Sequence, residues 1–158
     1  MANLDPLDRR LLLELVRDPR VQISELSERL GIARNTAQSH VRHLIRTGVI
    51  RNSGRDVDLA RIGYDVQAFV TIEVNHRELD GVISGLRTLP QVLEVHEISG
   101  RGDVWCRLTA TDTQQLQQTL RSVLRIKGVI RTETALVLHE HIPYRTETLL
   151  EKLVPPPA

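Results

Sequence analysis

The chain has 158 residues, 41% hydrophobic and 26% charged, an ordinary globular balance with room for one domain or two small ones. Its formal net charge of +1 points to no class of partner. The single cysteine, Cys106, excludes an intramolecular disulfide, no apolar run approaches the length of a membrane span, and no signal peptide is read at the start. The expectation is a soluble, cytoplasmic protein.

Charge is unevenly distributed. Residues 1–63 carry 11 arginines against 8 acidic residues, a balance of +3, whereas residues 64–158 carry 10 basic and 12 acidic residues, a balance of −2. The first helix should begin at Pro6, with Asp5 as N-cap and Asp8 favouring the positive end of the helix dipole. Leu7, Leu11, Leu15 and Val16 form its inward stripe, and Pro19 ends it. Ser24 is expected to cap a second helix that runs to Leu30.

Residues 23–50 are the stretch on which the function turns. Leu26 and Leu30, then Ala37, Val41, Leu44 and Ile45, repeat at helical spacing on two short segments. Gly31 between them can take the left-handed conformation of a sharp turn, and Gly48 closes the second segment. This is a helix-turn-helix pattern. The outward positions of its second helix are Arg34, Asn35, Thr36, Gln38, Ser39, Arg42 and His43. Arg, Asn and Gln can bond to base edges in a major groove, and Ser39 and Arg42 can hold phosphate, as can Ser24 on the preceding helix. A polar helix face alone is ordinarily just solvated. The turn and the preceding amphipathic helix shift the reading to contact with double-stranded DNA. The recognition helix has Ala33 where a capping Ser or Asp is expected.

Two short extended segments around Asn52 and Gly54 suggest a hairpin wing, with Arg51 and Arg55 on its arms as candidate phosphate contacts or as solvated arginines. Asp58 caps a further turn through Arg61, and Ile62 with Gly63 forms a hinge. The period then changes. Val66, Ala68, Val70, Ile72 and Val74 alternate as a strand. Asn75 with Glu78 suggests a capping box ahead of a helix marked by Leu79, Val82, Ile83, Leu86 and Leu89, stopped by Pro90. Residues 92–98 and 103–109 are strands. Asp112 with Gln115 resembles another capping box and opens a second helix (Leu116, Leu120, Val123, Leu124), and residues 129–142 are expected to form one long final strand.

The order βαββαβ predicts a ferredoxin-like sandwich, so the fold class is α+β: an N-terminal winged helix-turn-helix, residues 1–63, and a C-terminal sheet domain, residues 64–153. Residues 154–158, with three prolines, are expected to be a disordered tail. The final strand is apolar on both faces (Ala135 and Val137; Leu136, Leu138 and Ile142). It therefore wants cover on both, and a second copy of the sheet would supply it, predicting a homodimer.

The loop Ser99, Gly100, Arg101, Gly102, Asp103 reads either as a plain hairpin turn or as a ligand site. In the second reading glycines bring backbone N–H groups to a carboxylate, Asp103 accepts from an ammonium and Arg101 pairs a carboxylate. Trp105 is either core or pocket wall. His139 and His141, two apart on a strand, could share a metal ion, but no third ligand presents itself, and no metal site is expected.

The start Leu4-Asp5, Asp8 and Leu11-Leu12, then Gly31-Ile32, Leu44 with Gly48-Val49-Ile50, and Ser99-Gly100 with Asp103, together resemble the Lrp/AsnC family of bacterial and archaeal transcription regulators. The resemblance runs to about Ile142. It implies a sequence-specific DNA-binding regulator, a C-terminal RAM/Lrp-type domain for ligand binding and oligomerisation, and dimers that often assemble into octamers. It also implies an effector, an amino acid or similar small molecule, held by Ser99, Gly100, Arg101, Gly102, Asp103 and Trp105, with no cofactor. The chain departs from the family pattern at Ala33 and Arg34, where Ser then Pro is usual, and at Ser39 and His40, where Arg is usual nearby. Val104 and Trp105 stand where Tyr or Phe often follows the loop. Two alternatives share the architecture. One is an architectural DNA binder without an effector. The other is a siroheme-decarboxylase-like enzyme, of whose active-site stretch only Asp103, Trp105 and His96 offer any match.

Overall fold

The computed structural model describes residues 4–51 and 57–154. They form two compact units. One gathers the residues up to Arg51 with those from His141 onward, and the other is Val57–Glu140.

The first unit is built on three helices, α1 (Pro6–Arg17), α2 (Ile23–Leu30) and α3 (Arg34–Arg46). α1 starts as its sequence dictates. Asp5 Oδ1 accepts from the Asp8 N–H at 2.7 Å, and Asp8 Oδ2 accepts in return from the Asp5 N–H at 3.3 Å, so two otherwise orphaned donors are satisfied. Leu11, Leu26 and Leu30 form the centre, with Leu7, Leu15, Val21, Ile23, Ile32 and Val41 packed around them. Leu12 and Leu13, outside the expected stripe, are buried as well. The reason is that α1 contacts α2, α3 and a short C-terminal helix, α6 (Glu147–Glu151). Arg17 joins α1 to α6 through Glu147 (3.1 Å) and Glu151 (2.6 Å), bonds that raise its pKa further above the ordinary guanidinium value. No sequence motif announces this return of the chain.

Gly31 ends α2 at φ 66°, as the turn requires. Ser24 does not cap α2. The helix begins one residue earlier, at Ile23, which docks on the core, and Gln22 is the N-cap, its carbonyl accepting from the Leu26 N–H at 2.8 Å. The tip of the expected wing, with Arg55, lies outside the described residues, as do residues 155–158 of the expected tail.

The second unit opens with a turn of 3₁₀ helix, Ala60–Ile62, closed by Gly63 at φ 92°; Asp58 accepts from the Arg61 N–H. The sheet contains β1 (Val66–Val74), β2 (Val92–Glu97), β3 (Val104–Ala110) and β4 (Val129–Leu136). It is antiparallel, in the order β2-β3-β1-β4. α4 (Leu79–Arg87) and α5 (Thr113–Leu124) cover one face. There Ala68, Val70, Ile72 and Val74 meet Val104, Cys106, Leu108 and Ala110 across the ladder, capped by Val82, Leu86, Leu116 and Val123. Burial raises the Cys106 thiol to about 11, which makes it a packing residue and a poor nucleophile.

Three local expectations need correction. Asn75 caps a 3₁₀ turn, His76–Glu78, and Glu78 pairs with Lys127 at 2.9 Å instead of reaching back to its cap. Gln115 reaches back one residue further than expected, to the Thr111 N–H, while Asp112 accepts from the Gln115 N–H. The final strand stops at Leu136, not Ile142. Its neighbour β1 begins at Val66, and the bond from the Val137 N–H to the Gln67 carbonyl is the last rung. Leu138 is 94% exposed and Ile142 64% exposed. Without a strand through residues 137–142, the alternation that placed His139 and His141 on one face does not exist. Among the described residues no helix is long and apolar enough to cross a membrane.

Candidate nucleic-acid interface and effector loop

α3 docks through Ala37 and Leu44, both fully buried, with Val41 beside them. At 3.6 residues per turn its opposite side is Asn35, Ser39, Arg42 and Arg46, flanked by Thr36, Gln38 and His43. All seven are exposed, as are Arg34, Arg51 and, on α2, Ser24. Asn35, Gln38, Ser39, Arg42, His43 and Arg46 line an open groove of about 930 Å³, bounded on its other side by Asp5, Asp8 and His40. Among the described residues no side-chain hydrogen bond or ion pair within the chain occupies Asn35, Gln38, Ser39 or Arg42. Arg46 donates to His43 Nδ1 at 3.2 Å, which keeps that guanidinium beside the groove. Ala33 gives α3 no side-chain cap, so the first N–H groups of the helix remain open to a phosphate next to Arg34. The face thus offers amide and guanidinium donors for base edges, and cations and N–H groups for phosphates.

The sequence reading missed Arg46, His40, Asp5 and Asp8 as parts of this groove. Arg46 was detectable, because it lies one turn beyond Arg42 on the same face. The others were not, since Asp8 and His40 meet only through the packing of α1 on α3. His40 Nδ1 lies 2.8 Å from Asp8 Oδ1 and 3.9 Å from Asp5 Oδ2. These three residues each bring one ligand-type atom within 4.8 Å of the others. The group is already satisfied from within: the remaining carboxylate oxygens accept the helix-capping N–H bonds, and Asp8 holds the imidazole.

The loop between β2 and β3 is a closed hairpin connection, the Ile98 N–H donating to the Asp103 carbonyl at 2.9 Å. Asp103 spends most of its bonding capacity on the fold. Its Oδ2 accepts from the Val74 N–H at 2.8 Å and its N–H donates to the Ile72 carbonyl at 2.9 Å, which fixes the loop to the end of β1. Its Oδ1 faces His76 Nε2 at 3.5 Å. Gly102 (φ 85°) lies so close to β1 that a Cβ there would stand 2.4 Å from Thr71 Cγ2. Gly100 (φ 116°) and Ser99 are exposed, and Arg101 pairs loosely with Glu133 at 3.6 Å. Trp105 projects from the sheet face opposite the helices, 5.1 Å from the Phe69 ring and 5.6 Å from His96. It belongs to neither the helix-covered core nor the loop's backbone cradle.

A helix-turn-helix with an open, cationic second helix, in one chain with a four-stranded βαββαβ domain, defines a class: DNA-binding regulators that carry a separate C-terminal domain. A winged helix-turn-helix DNA-binding model matches residues 4–51, and the Lrp/AsnC ligand binding domain model matches residues 67–147. The chain belongs to the Lrp/AsnC family of DNA-binding transcription regulators. It is 35% identical to the HTH-type transcriptional regulator AldR of Mycolicibacterium smegmatis, over 89% of this chain and 84% of the relative. Among solved structures it is similar to AsnC of E. coli (TM-score 0.84, 25% identity, 91% of this chain and 98% of that one). It is also similar to the feast or famine regulatory protein of M. tuberculosis complexed with L-methionine (TM-score 0.83, 26% identity, 89% and 95%). These relatives are regulators, not enzymes, and the decarboxylase alternative falls away.

Proposed function

We propose that the chain is a cytoplasmic, sequence-specific regulator that reads operator DNA through α3, and that a small effector of the amino-acid class, bound by its C-terminal domain, changes its DNA affinity or assembly. The observation that carries the DNA part is the groove along α3, where Asn35, Gln38, Ser39 and Arg42 stand exposed and unoccupied. Two facts support the effector part: the ligand-binding-domain match over residues 67–147, and the L-methionine bound to a structural relative. The loop of Ser99, Gly100, Arg101, Gly102 and Asp103, with Trp105, is the proposed effector region.

The working unit is proposed to be a homodimer, with octamers as a further assembly. On the sheet face opposite the helices Phe69 and Trp105 are only partly buried, and Ile130 and Leu136 are exposed on β4. Apolar surface of this kind is buried most simply by a second copy. Two-fold symmetry would present two recognition helices to a palindromic operator.

The test is a titration of DNA from upstream of the protein's own gene, over a salt series, with and without a pool of amino acids. Tight, salt-sensitive binding that beats random DNA and shifts with the pool supports the reading. Binding indifferent to sequence and to the pool would replace it with the architectural one.

A further inference from the structure

We propose that residues 137–153 act as a second tether on the DNA-binding unit, and that Arg17, by locking this tether, sets the spacing of operator half-sites that the dimer accepts. This deepens the reading above and rests on its DNA-binding and dimer parts. α1 carries a docking stripe for the returning chain. Arg9, Leu13 and Arg17 recur every four residues and so share one face of the helix, opposite the Leu7, Leu11 and Leu15 face that packs into the core. Leu13 is buried, yet it does not belong to the cluster around Leu11 and Leu26. At one end of the stripe Arg9 Nη1 donates to the Leu153 carbonyl at 3.4 Å. At the other, Arg17 Nε donates to Glu147 Oε1 at 3.1 Å and Nη2 donates to Glu151 Oε1 at 2.6 Å. α6 therefore runs antiparallel along α1, with two carboxylates one turn apart held by a single guanidinium. The planar fork of an arginine fixes direction as well as distance.

Exposed pairs of this kind add little stability. What they supply here is register. The DNA-binding unit gives up the chain after its helix-turn-helix and receives it again at His141. It is thus joined to the sheet unit at two points of the chain. Residues 137–146, between β4 and α6, contain no helix or strand, so the second joint is made firm where α6 meets α1. A unit on one tether turns about it, and a unit on two is restrained. Restraint before binding favours the one geometry it matches. In a dimer it presents two α3 helices at one separation, and half-sites on one face of a duplex lie about 10–10.5 bp, or a multiple, apart. All but the first residue of α6 lies beyond residue 147, where the ligand-binding-domain match ends, so the tether is a feature that match does not include.

The experiment measures affinity for a duplex that the wild-type protein selects from a random pool, and for the same duplex with about 5 bp inserted at its centre, which turns one half-site to the opposite face. The wild-type protein is expected to lose about tenfold or more on insertion, because its second head no longer engages. Arg17→Glu should lose less than about threefold, chiefly through weaker binding to the original duplex. Glu147→Arg with Glu151→Arg should do the same without touching α1, and the three substitutions together, which reverse the pairs, should restore the wild-type ratio. Arg17 is a positioning residue, and a merely structural role would not move this ratio. Hydrogen exchange over residues 147–153 reads release of the tether, and thermal melting establishes folding. Folded, released variants that keep the wild-type ratio overturn the inference and leave the DNA-binding reading standing. So do unchanged exchange in both variants, a triple variant that fails to restore the ratio, and a wild-type protein that binds both duplexes alike. Failure of the wild-type protein to bind any duplex at low salt removes both.

Discussion

The two regions that the sequence marked as functional are built in opposite ways. Along α3 the polar side chains hang outward from a helix whose stability comes from Ala37, Val41 and Leu44 on its other side. In the 99–103 loop the same residues that suggest a ligand site also hold the sheet together: Asp103 is bonded to Val74, and Gly102 is packed on Thr71. The lesson is that function and folding can be separated by mutation in the first region and not in the second. Substitutions on α3 should change affinity at constant stability. Substitutions in the loop should change stability first, so a weakened effector response there is informative only beside a folding control.

The sharpest way to break this contrast is Gly102→Ala. The residue sits at positive φ, and the added methyl would collide with Thr71. Strain and overpacking together should destabilise the C-terminal unit by about 2–4 kcal/mol, read from the denaturation midpoint. A wild-type midpoint would refute the packing account. Next in size, Arg42→Ala and Asn35→Ala should each weaken operator binding by about 1–3 kcal/mol while moving stability by less than ~0.5 kcal/mol. A matching drop in melting temperature would erase the distinction. Asp103→Ala leaves the Val74 N–H without its acceptor and should destabilise by about 1–3 kcal/mol, whereas Asp103→Asn, which keeps an acceptor oxygen, should recover most of this.

The smallest effect concerns pH. The Gln115 N–H donates to Asp112 at the start of α5 and holds that carboxyl below the usual aspartate value. A carboxyl lowered in the folded state stabilises above its unfolded pKa, and that contribution disappears as pH falls through the folded value. Asp112→Ala should therefore shallow the acid limb of the stability profile and leave its alkaline side parallel to wild type. An unchanged acid limb would show that the cap contributes nothing.

What the sequence disclosed, and what it hid, divides along the same physical line. Caps and turns are local: Asp5, Pro6, Gly31 and Gly48 announce the helix boundaries because their chemistry acts within one turn. The alternation in β1 and the stripes of α4 and α5 gave away the sheet and the face it buries. Contacts between distant segments were hidden. Nothing in the residues themselves places Asp8 against His40, Asp103 against the Val74 N–H, or Arg17 against Glu147 and Glu151. The overlong final strand has the same origin. Residues 137–142 carry strand-forming side chains, but a strand extends only as far as its neighbour, and β1 ends the ladder at Gln67. Ser24 misled for a subtler reason: it is a good capping residue two positions too late, overruled by the packing of Ile23 on the core.

The central claim is that α3 holds DNA by side chains which the fold does not need. Its most direct test is the double variant Arg34→Ala with Arg42→Ala, titrated against wild type on one duplex over a salt series, with melting curves alongside. The account predicts weaker binding and an unchanged melting temperature. It also predicts a slope of log affinity against log salt that is shallower by about 0.9 for each phosphate no longer neutralised. Equal affinity and slope in the two proteins would contradict it, and the DNA-binding surface would have to be sought elsewhere on the chain.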